Sequence, residues 1–214
     1  MKRQIKYVIK KIGEILKDNN RWIILLVGGV ALLALFVNIK TSDIDFLDAK
    51  CYEIITSKMS DPLTIVAKTI TNVANPVILL LVAGVLFLVV EKKKNKFSIV
   101  CNLGIAAILN IILKSIIQRP RPIGHRLIDE SGYSFPSGHS MVSMAFYGYL
   151  VYLIVKNVKN KYLRAISSCI LLLLILFIGL SRIYLGVHYT SDVIGGFIVA
   201  ILYLLLYTGI IKRI

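Results

Sequence analysis

Apolar residues run along this chain in six long blocks, separated by short polar and mostly basic stretches. The blocks are roughly Trp22–Ile39, Thr71–Val90, Phe97–Gln118, Ser137–Val155, Tyr162–Leu180 and Val193–Ile211. Each holds close to the ~20 residues that an α-helix needs to cross a bilayer. The pattern predicts an all-α integral membrane protein built as a six-transmembrane-helix bundle. Ahead of the first block, Ile5, Val8, Ile9, Ile12 and Leu16 recur at helical spacing with lysines between them. Residues 1–21 therefore predict either a basic amphipathic helix on an anionic inner leaflet or a basic tail that only fixes orientation. Residues 40–70 are mixed and mildly amphipathic, which predicts one or two short helices at the outer surface. No internal repeat, low-complexity tract or soluble domain is visible, so residues 1–214 read as a single membrane-embedded domain.

Composition supports this reading. Of the 214 residues, 57% are hydrophobic and 17% charged, too apolar a balance for a soluble domain of this length. A net charge of +15 raises the question of nucleic acid. The basic residues, however, flank apolar blocks instead of forming a soluble basic face, so no nucleic-acid partner is expected. They gather at Lys2–Arg21, at Lys92–Lys96, at Lys156–Arg164 and at Lys212 and Arg213, whereas the loop after the first block is rich in Asp43, Asp45, Asp48, Glu53 and Asp61. The positive-inside rule then predicts a multi-pass protein of the cell membrane with both termini in the cytoplasm. The first block is long enough to span and lacks a small-x-small cleavage site, unlike a cleaved signal peptide. Cys51, Cys101 and Cys169 show neither CxxC nor metal-ligand spacing and read as small apolar residues.

Three polar clusters fall at the ends of the blocks opposite the basic stretches. Lys114 and Arg121 stand in Lys-Ser-Ile-Ile-Gln-Arg-Pro-Arg-Pro; Ser137, Gly138 and His139 in Phe-Pro-Ser-Gly-His-Ser; and Arg182, His188 and Asp192 in Ser-Arg-Ile-Tyr-Leu-Gly-Val-His-Tyr-Thr-Ser-Asp. Ionisable side chains beside lipid are costly, so their presence marks a functional site. His188 and Asp192 are spaced i,i+4 and share a face on a helix, where the carboxylate can orient the imidazole. Arg182 supplies a fixed cation suited to phosphate. Ser137 and Gly138 follow Pro136 at a helix start, whose free N–H groups attract anions.

Taken in order, K-x6-R-P, P-S-G-H and S-R-x5-H-x3-D resemble the three-part signature of the type-2 phosphatidic acid phosphatase superfamily, matched at every signature position from Lys114 to Asp192. Within it, the chain is most similar to the small bacterial phosphatidylglycerophosphatase B-like and undecaprenyl-diphosphatase-like members. The resemblance implies a bacterial membrane lipid phosphatase, and the orientation predicted from the charges places its three motifs at the extracytoplasmic face. Its implied substrates are lipid phosphates or diphosphates: phosphatidylglycerophosphate, phosphatidic acid or undecaprenyl diphosphate. It implies His188 as the nucleophile of a phosphohistidine intermediate, supported by Asp192, with His139 as acid and then base. Lys114, Arg121 and Arg182 match the phosphate clamp, joined by Ser137 and Gly138. With Asp192 committed to His188, no carboxylate cluster is left for Mg²⁺, so no metal or other cofactor is expected.

Competing readings attach to several positions. A non-catalytic lipid-phosphate binder or transporter of the same fold is the alternative function, and would be expected to lose a histidine or the aspartate. Soluble haloperoxidases of the superfamily hold vanadate in the same pocket, but the apolar blocks argue against that branch. Lys114 alone would read as a snorkelling anchor. Arg119 falls outside the signature spacing and reads as a headgroup contact or anchor. His125 and Arg126, with Asp129 and Glu130, read as a solvated loop or a headgroup contact. Tyr184 reads as packing or anchoring, and Gly195 and Gly196 as sites of close helix packing.

Overall fold

The protein is described by a computed structural model over residues 2–57, 59–124 and 126–213, and its regular structure among those residues is all helix; side chains are described for 20–212 within those ranges. Eight helices follow one another: α1 (Lys2–Thr41), α2 (Asp45–Thr56), α3 (Asp61–Asn72), α4 (Pro76–Val89), α5 (Lys93–Ile117), α6 (Gly138–Asn157), α7 (Lys161–Tyr184) and α8 (Thr190–Arg213). Five are long and apolar enough to cross a membrane: residues 20–41 of α1, and α5, α6, α7 and most of α8. The basic segment before residue 20 is the first part of α1 itself and not a separate helix. Which faces its side chains present lies outside the described residues. The short helices expected in residues 40–70 are α2 and most of α3, although α3 pairs with α4 and does not stand alone at a surface.

The block expected as one span over Thr71–Val90 is broken. α3 ends at Asn72, α4 starts at Pro76, and the two axes bend by 50°. The cause is local. Asn75 caps α4 through its side chain, which accepts from the Val77 N–H at 3.0 Å, and Pro76 occupies the first helical position. Proline tolerates that position because its missing donor would be unpaired there anyway. At 1.5 Å per residue, the 14 residues of α4 reach roughly 21 Å, short of a ~30 Å hydrocarbon core. α4 therefore completes a span only together with α3.

α6 is the centre of the bundle and packs on α5, α7 and α8. Small residues on α6 permit this: Ser140, Ser143 and Ala145 are buried among Met141, Phe146 and Tyr149. The outward positions are the reverse of a water-soluble surface. Trp22, Leu26, Leu80, Leu88, Ile170 and Ile210 are all exposed, as lipid-facing side chains should be. At the basic end, Tyr149 donates to Ser98 Oγ and Tyr207 to the Ser98 carbonyl, closing α5, α6 and α8 together.

At the opposite end the α6 start is wedged against α8. A Cβ added at Gly195 would stand 2.5 Å from Phe135 Cζ, and one at Gly196 would stand 3.1 Å from the Ser137 carbonyl. The glycine pair is what lets the Phe-Pro-Ser-Gly turn lie on α8, as the close-packing reading expected. Gly195→Ala must displace the buried Phe135 ring, and a loss of about 1–3 kcal/mol is expected for such overpacking. Thermal unfolding of the detergent-solubilised variant measures it; an unchanged midpoint would contradict this packing role.

Candidate active site

The carboxyl ends of α5 and α7 and the amino ends of α6 and α8 meet at one end of the bundle. They bring the three sequence clusters together. Asp192, at the start of α8, is fully buried and accepts on both oxygens. Its Oδ1 takes a hydrogen bond from Arg119 Nη1 at 2.7 Å. Its Oδ2 takes one from the Tyr189 N–H at 2.9 Å and another from the Ser134 hydroxyl. The same oxygen lies 3.4 Å from His188 Nδ1. The i,i+4 pair is therefore real, although His188 sits just before α8 and not on it.

The partners of His188 assign its tautomer. A guanidinium can only donate, and Arg121 Nη1 lies 3.1 Å from His188 Nε2. Nε2 is thus an acceptor with its lone pair toward Arg121, and Nδ1 carries the proton facing Asp192. Burial pushes the His188 pKa down to about 4, against the opposing pull of Asp192. The ring is neutral at neutral pH.

Arg121 is fixed by three carbonyls. Its Nε donates to Gly132 at 3.0 Å, Nη1 to Val187 at 2.9 Å and Nη2 to Ser131 at 2.8 Å. Burial lowers its pKa, while Glu130 opposes that shift. Arg182 is 1% exposed. It donates to Thr71 Oγ1 at 2.8 Å from α3 and to the Glu130 carboxylate, and its Nε has no hydrogen-bond partner among the described residues. Lys114 donates to the Tyr133 and Ser134 carbonyls. A Cβ at Gly138 would lie 3.9 Å from Lys114 Cε, so the lysine stem runs beside the α6 start.

That start behaves as the sequence anticipates, with one difference. Ser137 is the N-cap, and its hydroxyl accepts from the Ser140 N–H and hydroxyl. Its own N–H donates to the Asp192 carbonyl at 3.1 Å, which removes it from the donors an anion could use. The first helical N–H groups, those of Gly138 and His139, are left unpaired by helix geometry. His139 is half-buried at this turn, within electrostatic reach of Glu130.

Four residues outside the signature contact these side chains directly or through one another. Arg119, expected as an anchor or headgroup contact, is buried. It grips Asp192 with one nitrogen and Asp48 of α2 with the other at 2.9 Å, under the ring of Tyr189. Burial alone would depress its pKa, but Asp192 and Asp48 raise it. Ser134 bridges Asp192 and His188 Nδ1, the latter at 3.3 Å. Asp48, read only as one of several outer acidic residues, is buried here. Glu130 departs from the solvated-loop reading. It pairs with Arg182 and lies 3.7 Å from Arg121; burial would raise its pKa, yet these guanidinium charges hold it low. Arg126 and Asp129 are exposed as that reading expected, and His125 lies outside the described residues. Tyr184 packs, pairing with Thr64 at 3.0 Å.

A cavity of about 190 Å³ reaches His188 between α2 and the loop at Pro122–Gly124. Among the described residues, no group of three or more His, Cys, Asp or Glu side chains is arranged to hold a metal ion.

The three clusters and the fold around them have counterparts among known proteins. A profile described as the PAP2 superfamily matches residues 95–214, which include all three clusters. Phosphatidylglycerophosphatase B of Bacillus subtilis (strain 168) is 36% identical over 143 residues, 65% of this chain and 68% of that protein. The crystal structure of a transmembrane PAP2-type phosphatidylglycerolphosphate phosphatase from Bacillus subtilis superposes with a TM-score of 0.81 at 28% identity. It covers 89% of this chain and 96% of its own. LpxE of Aquifex aeolicus shares the fold, with a TM-score of 0.63 at 23% identity over 76% of this chain and 95% of its own.

Two outcomes follow from the buried charges. Glu130→Gln leaves Arg182 without its ionic partner. Stability should fall by roughly 1–3 kcal/mol, less than for a fully buried pair because Glu130 is partly exposed; equal unfolding midpoints would contradict the pairing. For His188, the folded pKa of about 4 lies below the ~6.5 of a free imidazole, so between these values the unfolded chain binds more protons. Its contribution to stability is complete above about pH 6.5 and is lost as pH falls through about 4. Unfolding midpoints measured across that window should drop for wild type and drop less for His188→Asn.

Proposed function

The chain belongs to the PAP2 superfamily, and from that premise we propose that it is a lipid phosphatase cleaving phosphatidylglycerophosphate through a phosphohistidine on His188. Phosphatidic acid and undecaprenyl diphosphate are the other substrates in this reading. The observation that carries it is the placing of the His188 ring, with Nδ1 3.4 Å from Asp192 Oδ2 and Nε2 3.1 Å from Arg121 Nη1, which assigns the Nδ1–H tautomer. A neutral ring with its Nδ1 proton turned to Asp192 keeps its Nε2 lone pair unprotonated and directed at Arg121, and a substrate phosphate that draws the Arg121 donor to its own oxygens frees that lone pair for attack. That is the arrangement an in-line nucleophile needs.

In the first step Nε2 of His188 bonds to phosphorus while the bond from phosphorus to the lipid oxygen breaks. A protonated His139 gives its proton to that departing oxygen. The imidazole now carries positive charge, which Asp192 offsets through Nδ1–H. In the second step His139 takes a proton from water, the water oxygen bonds to phosphorus and the bond to Nε2 breaks, releasing phosphate. Charge on the equatorial oxygens is met by Arg121, Arg182 and Lys114 and by the N–H groups of Gly138 and His139. The Ser137 hydroxyl holds the turn that presents them. The substrate phosphate takes over the guanidinium charge that Glu130 otherwise neutralises. Three cationic side chains do the work a metal would do, so the reaction is metal-independent in this reading.

Purified protein in mixed micelles should release phosphate from phosphatidylglycerophosphate, keep that activity in EDTA and be inhibited by vanadate. His188→Ala should abolish it in a folded protein. Activity lost in EDTA and restored by Mg²⁺, or a His188→Ala variant keeping a tenth of the rate, would overturn this chemistry.

The basic residues at the far ends of α5, α6, α7 and α8 support an extracytoplasmic site and cytoplasmic termini. A cysteine at Ser131, in a background without Cys51, Cys101 and Cys169, should react with an impermeant thiol reagent in intact cells. One at Asn160 should react only after the membrane is opened. The reverse pattern would place the site in the cytoplasm.

A further inference from the structure

Asp48 stands in the first turns of α2, a helix whose outer face exposes Phe46, Leu47 and Ile54. Its carboxylate turns the other way and is 3% exposed. Oδ1 accepts from the Ser191 N–H at 2.8 Å. Oδ2 accepts from the Ser191 hydroxyl at 2.5 Å and from Arg119 Nη2 at 2.9 Å. The other arm of Arg119 reaches the Ser191 hydroxyl at 2.7 Å and Asp192 Oδ1 at 2.7 Å. Both oxygens of Asp48 are thereby spent on the two residues that hold the α8 start.

This arrangement divides one cation between two carboxylates. Asp192 needs a partner on Oδ1 because an uncompensated buried charge is expensive. A guanidinium free to place both arms on Asp192 would form the bidentate pair that arginine favours. It would then draw off the negative charge that the His188 imidazolium requires. Asp48 holds the second arm, so Arg119 meets only one oxygen of Asp192. Oδ2 is left for His188, Ser134 and the Tyr189 N–H. Asp45, 3.8 Å from Arg119 and 59% exposed, is a weaker outer partner.

We infer that Asp48 is a positioning residue for phosphoryl transfer, acting through Arg119 to keep Oδ2 of Asp192 directed at His188, and that α2 is thereby part of the catalytic apparatus. The inference rests on the phosphohistidine reading above. It predicts a loss in the chemical step with substrate binding left alone. Asp48→Asn should lower kcat by roughly 10- to 100-fold with KM changed less than about threefold, the size expected when a partner of a catalytic group is removed. Coupling through Asp192 makes a second demand. Against an Asp192→Asn background, adding Asp48→Asn should cost less than about twofold more, because residues acting as one unit are not additive.

The experiment is phosphate release from phosphatidylglycerophosphate in mixed micelles by the full chain, for wild type, both single variants, the double variant and His188→Ala. Wild type without turnover, or His188→Ala with turnover, sinks the reading of the site itself. If those two behave as expected, a wild-type kcat for Asp48→Asn overturns the positioning role. So does an equal fold-loss in both backgrounds, which would mark a structural effect. Should Asp48→Asn fail to fold, Arg119→Lys replaces it. A lysine keeps the charge but cannot hold two carboxylates at once, so the same kcat loss at near-constant KM is expected. An unimpaired Arg119→Lys overturns the inference.

Discussion

Every buried guanidinium at the motif end of this bundle lies beside a carboxylate, and the site's geometry follows from that necessity. Arg182 and Arg121 share Glu130; Arg119 is shared between Asp192 and Asp48. Removing one member of such a set leaves a bare charge in a medium that solvates it poorly, at a cost of several kcal/mol. The pairs therefore fix the loop from Gln118 to Pro136 against α2, α7 and α8, although none of its described residues lies in regular structure. Its backbone is held the same way, with Gly132, Ser131 and Tyr133 offering carbonyls to Arg121 and Lys114.

Much of this was legible in the sequence. Six apolar blocks, a basic side and three polar clusters on the opposite side specify a bundle with its chemistry at one end, and helix direction then brings those clusters together. Two things were harder to read. The break between α3 and α4 was masked because Thr71 to Val90 is apolar throughout, and hydropathy does not register a capping asparagine followed by proline. Asn75-Pro76 carried that signal. Asp48 shares a helical face with Ile44, Tyr52 and Ile55, all at least half-buried, so a lone carboxylate on an inward face was visible in principle. Counting it only as an outer acidic charge hid its direction.

Glu130, Arg119 and Ser134 illustrate a different limit. Each acts on a partner tens of residues away, and spacing along one segment cannot report a contact made between segments. Arg119 and Arg121 stand two residues apart in the same Arg-Pro-Arg-Pro run. Yet one serves Asp192 and the other faces His188, after Gln118 has ended α5 in a left-handed conformation.

The central claim is that His188 forms a bond to phosphorus through Nε2. It is tested most directly by mixing the enzyme with lipid labelled in its terminal phosphate, quenching in alkaline detergent within the first turnover and mapping the label. The account predicts label on Nε2 of His188, absent when Asn replaces that residue. Phosphate released during the same turnover without label on the protein, or label on any other residue, would contradict it.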